Sequence, residues 1–358
     1  MKIFSLFTKL FLAILLFVSM LVPHEVSASE EKSAFKLGKE FGLEILSDVL
    51  VNPDPEYSRG NSPAITVLDN GLVVAIKEYD LKLYYQFGEY NDGKMYWSYP
   101  KEYDTGFSPT ASTLPNGHII DIHLGHYWKQ KLFYNLGRYD EKTGEIDWYS
   151  VGNFYNEHAK DPSMTVLANG DVLEVHENGS DMSNNLYYNL GRYKDGKIEW
   201  NSLGNKYDAG RTPSITALDN GSVLEVHKSQ WNNGLWYSTG TQNGNSFDFT
   251  DSSNYEDHGR DPVSLQLDNG LILTMFEGTR GHHPTWNRMG QVNGDKIEWT
   301  TNTFTEFNGR DNDVVQLQNG LMLNVHQSPD DDTLWYVLGR WKPESNRVVW
   351  WPENLGHN

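Results

Sequence analysis

Pro213-Ser-Ile-Thr-Ala-Leu-Asp-Asn-Gly-Ser-Val-Leu-Glu-Val-His227 sets two short apolar-rich runs on either side of Asn220-Gly221. Asn-Gly between alternating runs is the strongest short hairpin signal, and it predicts a type I′ turn with positive φ at both residues. Further on, Leu235-Trp-Tyr-Ser-Thr-Gly240 and Ser246-Phe-Asp-Phe249 flank Asn243-Gly244 and predict a second hairpin. Thr212 to Arg260 therefore reads as four antiparallel strands. The phrase recurs around Asn70-Gly71, Asn116-Gly117, Asn169-Gly170, Asn269-Gly270 and Asn319-Gly320. A period of about fifty residues marks stacked supersecondary units. Four short strands per period, rich in β-branched and aromatic residues, describe a blade. The expected fold is all-β, a β-propeller of six four-stranded blades over residues 62–358, behind a leader at 29–61 that forms a partial blade or a helix.

Residues 1–28 read as a signal peptide. Lys2 and Lys9 precede an apolar run from Leu10 to Val22, and Val26-Ser-Ala28 suits a signal peptidase. The run is too short for a comfortable membrane span, so a secreted, extracellular protein without stable membrane insertion is expected. The chain carries a net charge of -19, and losing two lysines and one glutamate with the peptide makes it slightly more negative. A long-range negative field disfavours nucleic acid and anionic lipid as partners. With no cysteine, stability must come from the core.

Trp97, Trp148, Trp200, Phe249, Trp299 and Trp350 recur at one position of the fourth strand, the pattern of packing between blades rather than of ligand platforms. Strand direction alternates, so the tight Asn-Gly and Asp-Gly turns share one face, and the 2–3 loops share the other with the blade links. The loops vary in length and chemistry, as specificity requires. They carry Trp128 and Trp231, and Trp286 follows the fifth loop. The second strand ends in His123, His176, His227 and His326, with Lys77 and Phe276 in the other two repeats. The blade links carry Lys160, Arg211, Arg260 and Arg310 near the channel-lining first strand, several followed by aspartate. Each position also has a structural reading: a histidine bonded to backbone, or an Arg-Asp couple tying blades together.

The carboxylates stand mostly in register, Glu174 with Glu225 and Glu199 with Glu298, whereas a glycosidase needs an isolated pair. Neither a Gly-x-Ser-x-Gly elbow nor a His-Glu-x-x-His helix occurs. No catalytic residue, metal site or cofactor is assigned, and an enzyme is the less favoured reading.

The consensus Pro-Ser-x-x-x-Leu-x-Asn-Gly-x-Val-x-Glu-Val-His, then Leu-Trp-Tyr-x-x-Gly, resembles the propeller repeats of secreted bacterial proteins, cleanest over Pro213 to Gly240. The organisation is also similar to that of propeller lectins, whose sugar sites lie between blades and pair an aromatic platform with polar groups. Signal peptide and lack of cysteine resemble a Bacillus-type secretome that includes host-directed or insecticidal factors. The resemblance implies a secreted, non-catalytic, multivalent binder of glycans or glycosylated cell surfaces. In it Trp128, Trp231 and Trp286 stack on sugar rings, while His176, His227, Arg211, Arg260 and Arg310 donate hydrogen bonds. Two alternatives stay open. One is a sialidase-like hydrolase in which Arg211, Arg260 and Arg310 hold a sugar carboxylate, though Ser-x-Asp-x-Gly-x-x-Trp boxes are lacking. The other is a protein-binding virulence or toxin component.

Overall fold

The computed structural model describes residues 59–125, 130–180, 183–256, 258–300 and 302–351. The expected signal peptide at 1–28, nearly all of the expected 29–61 leader and Trp128 lie outside the described residues. Of the described residues, all but Asp140–Glu145 belong to one compact unit.

The unit is a β-propeller, built from antiparallel strands with no α-helix among the described residues. Among the described residues six sheets, blades 1 to 6 in chain order, follow one another. Their innermost strands are Asn61–Val67, the second half of Lys101–Thr113, Ala159–Val166, the second half of Lys197–Ala217, Arg260–Gln266 and Arg310–Gln316. These strands touch in cyclic order, the last against the first. At that closure the Ile65 amide donates to Asp313 Oδ2 at 2.7 Å, and Gln327 Nε2 donates to Asn61 Oδ1 at 2.8 Å. Lys101–Thr113 and Lys197–Ala217 each serve two blades: residues up to Thr105 and Ala209 pair outward with one sheet, and the rest line the next.

The Asn-Gly hairpins form, but not with the expected turn. Only the glycine is left-handed, with φ of 85° at Gly71 and Gly221, and no Asn of the six pairs has positive φ. Gly71 N–H donates to the Leu68 carbonyl at 2.8 Å and Leu68 N–H to the Leu72 carbonyl, the signature of a three-residue loop with a glycine bulge. The asparagine is needed for its side chain: Oδ1 accepts the amide two residues on, as from Leu72 to Asn70 at 3.1 Å and from Ser222 to Asn220 at 3.0 Å. The type I′ geometry appears instead at the outer hairpins, where Asp92-Gly93 and Asp195-Gly196 both have positive φ.

The recurrent fourth-strand aromatics pack between blades. Each covers a glycine of the third strand: a Cβ on Gly191 would meet Trp200 at 2.7 Å, and one on Gly290 would meet Trp299 at 2.7 Å. The other ring face stacks on the preceding blade, Trp148 on Tyr103 at 4.3 Å, Trp200 on Tyr155 at 4.0 Å and Phe249 on Tyr207 at 4.4 Å. Around them lie fully buried aliphatic residues of the second strands, among them Ile122, Leu173, Leu224 and Leu273.

Candidate functional site

The second-strand histidines are built into the blade interfaces. His176 and His227 are each 2% exposed, and their carboxylate neighbours Glu174 and Glu225 are fully buried. His227 Nδ1 meets Glu225 Oε2 at 2.9 Å, and His176 Nδ1 meets Glu174 Oε1 at 3.1 Å. Two residues apart on a strand, the pair shares one sheet face. The preceding blade completes the network: Tyr207 Oη donates to Glu225 Oε1 at 3.2 Å, and Tyr103 Oη donates to Asp121 Oδ2 at 3.0 Å beside His123. His176 and His227 are thus enclosed, each with Nδ1 turned to a buried carboxylate rather than to an open surface. Burial alone would lower the pKa of His227 and His123, yet Glu225 and Asp121 hold both above the ordinary value. His326 faces the amide Asn324 instead, and burial drives it down to about 3.

The basic residues stand at the start of the innermost strands, where every blade carries a bulge. The residue after each is left-handed: Ser62, Ser108, Asp161, Thr212, Asp261 and Asp311 have φ between 44° and 49°. Asp161 and Asp261, on two different blades, both feel the charge of Asp311 on a third, which brings these bulges together around the channel. Burial first, then neighbouring acids, raises Asp161 to about 6 and Asp261 to about 7. Most of the cations are already committed. Lys160 Nζ donates to Glu177 at 2.5 Å, Arg260 pairs with Glu277 and meets His283 Nδ1 at 3.0 Å, and Arg310 donates to the Ser328 carbonyl at 3.1 Å. Of Arg211, Arg260 and Arg310, Arg260 already neutralises the buried carboxylate of Glu277. The Arg211 side chain alone of the three has no hydrogen bond or ion pair among the described residues.

Trp286 lines a pocket of about 240 Å³ between the outer edge of blade 4 and blade 5, with Phe276, Glu256, His258, Arg280 and Asn302. The sequence explains why it opens here. In blades 1 and 3 the polar residue after the stacking tyrosine, Asp104 or Asp208, faces the histidine of the next blade, at 3.6 Å for His123 and 4.0 Å for His227. Glu256 holds that place in blade 4, but the next blade offers Phe276. Released from a histidine, the Glu256 carboxylate accepts from the His258 amide at 3.3 Å and from Asn302 Nδ2. Asn302 Oδ1 is buried without a partner, and Arg280 Nη2 lies 3.1 Å from His258 Nε2. Gly278 keeps the wall close, since a Cβ there would sit 2.9 Å from Trp286 Nε1. A flat aromatic face beside a carboxylate, a guanidinium and an amide can hold the apolar face and hydroxyls of a sugar.

Trp286 also belongs to a series. Tyr84, Phe133, Tyr187, Trp236, Trp286 and Trp335 each pair across the sheet with the last residue of the second-strand pattern, from Lys77 to His326, and each is half-buried. Trp231, on the loop after Ser222–Ser229, is 85% exposed. Sequence reading missed Glu256, His258, Arg280 and Asn302, although Phe276 in place of histidine was the visible signal. Among the described residues, no group of three or more His, Asp or Glu side chains is placed to hold a metal ion, and no helix is long and apolar enough to cross a membrane.

No protein-family model and no curated protein matches this sequence. Solved structures do match in fold. An arginine-to-alanine triple mutant of AofleA from Arthrobotrys oligospora has a TM-score of 0.58 at 8% identity, covering 82% of this chain and 86% of that one. The periplasmic gluconolactonase of Pseudomonas aeruginosa has a TM-score of 0.55 at 10% identity, covering 80% and 83%. A Hadza microbial sialidase has a TM-score of 0.55 at 7% identity, covering 82% and 67%. At such identities the likeness carries the propeller fold and nothing of the activity.

Proposed function

We propose that this chain is an exported, non-catalytic carbohydrate-binding propeller. The pocket around Trp286 is the observation that carries the reading: an aromatic wall, a carboxylate that meets Asn302 rather than a histidine because Phe276 stands opposite, and an unsatisfied amide oxygen meet between two blades. The repeated half-buried aromatics from Tyr84 to Trp335 support several weaker sites on one rigid ring, an arrangement that raises avidity toward polymers and cell surfaces. The registered carboxylates favour binding over hydrolysis, since Glu174 and Glu225 are sealed into interfaces by histidine and tyrosine. A glycan array with the wild type and Trp286→Ala is the test. The proposal expects binding to a defined set of glycans that weakens about tenfold or more in the variant, the loss of an aromatic stacking contact. No glycan bound by the wild type, or identical profiles for the two proteins, removes it.

A further inference from the structure

The rim position that pairs opposite charges in blades 3 and 5 pairs like charges in blade 4. Lys160 lies opposite Glu177 and Arg260 opposite Glu277, both joined by ion pairs. Arg211 lies opposite Lys228 in the same register. Cross-strand partners share a sheet face, so two cations stand side by side, an arrangement that costs stability. Neither side chain has a hydrogen bond or ion pair among the described residues, in a chain whose net charge is -19.

Two further features fall at this spot. Thr212 is left-handed at φ 44°, where the other blades place Ser or Asp. A β-branched residue there is a genuine outlier, of the kind that concentrates at binding sites. Its Oγ1 is buried without a partner. Three residues beyond Lys228 stands Trp231, the most exposed large hydrophobic side chain described, on a loop anchored by its own amide to Ser229 Oγ at 3.1 Å.

We infer that the blade 4 rim is a subsite for the anionic group of an acidic glycan, its carboxylate or sulfate held by Arg211 and Lys228 while Trp231 covers the sugar face. Charge-assisted hydrogen bonds from a guanidinium and an ammonium are the strong contacts for such oxyanions. The repulsion stored between the two cations in the free protein is relieved when the anion arrives. Attraction is confined to short range by the acidic remainder of the chain and by salt, whose screening length is about 8 Å at physiological strength. This inference deepens the carbohydrate reading and rests on it.

The test compares binding of the full chain to polygalacturonate and to its fully methyl-esterified form, and to dextran sulfate and dextran. Wild type, Lys228→Glu and Trp286→Ala are measured in parallel. Each charged polymer should bind about tenfold tighter than its neutral counterpart, and the advantage should shrink as salt rises. Lys228→Glu rebuilds the ion pair of blades 3 and 5. It should abolish the preference for charge and raise the melting temperature. Equal affinity for charged and neutral polymers in the wild type, or a preference that survives Lys228→Glu, overturns the subsite. Trp286→Ala reports on the carbohydrate reading separately. Neutral binding weakened in Trp286→Ala without a charge preference in the wild type overturns the subsite alone; neutral binding unchanged in Trp286→Ala overturns the Trp286 pocket whatever the charge preference.

Discussion

Changing Glu225 to Gln should reverse the sign with which His227 links stability to pH. In the wild type, burial works against the imidazolium, but Glu225 at 2.9 Å and Asp208 at 4.0 Å outweigh it and hold the pKa above 6.5. A raised histidine stabilises the fold fully below its unfolded pKa, and that contribution is lost as pH rises through the folded value. Blade 6 already holds such a histidine without its carboxylate: His326, 4% exposed, bonds an amide oxygen at 2.8 Å and falls to about 3. Glu225→Gln gives blade 4 that arrangement. His227 would then refuse a proton that the unfolded chain accepts below 6.5, and stability would fall on acidification, by about 2 kcal/mol at about pH 5. Near neutral pH the cost stays below the roughly 3–5 kcal/mol typical of a broken buried pair, because the imidazole can shed its charge. The assay is urea unfolding of both proteins from about pH 7.5 to about pH 5, read as the difference between them. The gap should widen toward acid by about 2 kcal/mol or more. A gap that stays constant across the range would refute the account of His227 as a carboxylate-held cation.

Two further outcomes are expected. Asp313 accepts amides from Ile65 and Val314, yet burial raises it to about 7 from 3.8, so its folded form holds a proton that the unfolded chain has released. Its contribution is complete below the unfolded value and fades as pH rises through about 7. Asp313→Asn should therefore lose ground to the wild type as pH falls from about 7 to about 4, and unfolding curves that track in parallel would disprove the assignment. Among the tryptophans, Trp350, 5% exposed and packed on Gly339, should cost about 3–5 kcal/mol when cut to alanine, while Trp231→Ala should cost less than about 0.5 kcal/mol. Equal costs in thermal or urea unfolding would mean that the division between packing and surface aromatics is wrong.

The repeat made the propeller legible because blade geometry is written locally, in turn glycines and in the aromatic that covers a third-strand glycine. The turn type was misread for a physical reason. A two-residue and a three-residue loop carry the same Asn-Gly pair, and the choice depends on whether the preceding Asp joins the loop, as Asp69 and Asp219 do. The histidines were legible as a series but not as buried, since Tyr207 and Glu225 lie 18 residues apart and meet only when blades pack. Repetition explains both the success and the failure. A residue present in most blades is there to join blades, so His176, His227 and Arg260 proved to be committed to internal partners. The groups that line the candidate sites are those where one blade breaks the pattern: Phe276 against histidine, which turns Glu256 to Asn302, and Lys228 against glutamate, which leaves Arg211 without an ion pair. In a repeated scaffold, departures from the consensus therefore point to recognition more directly than the consensus does.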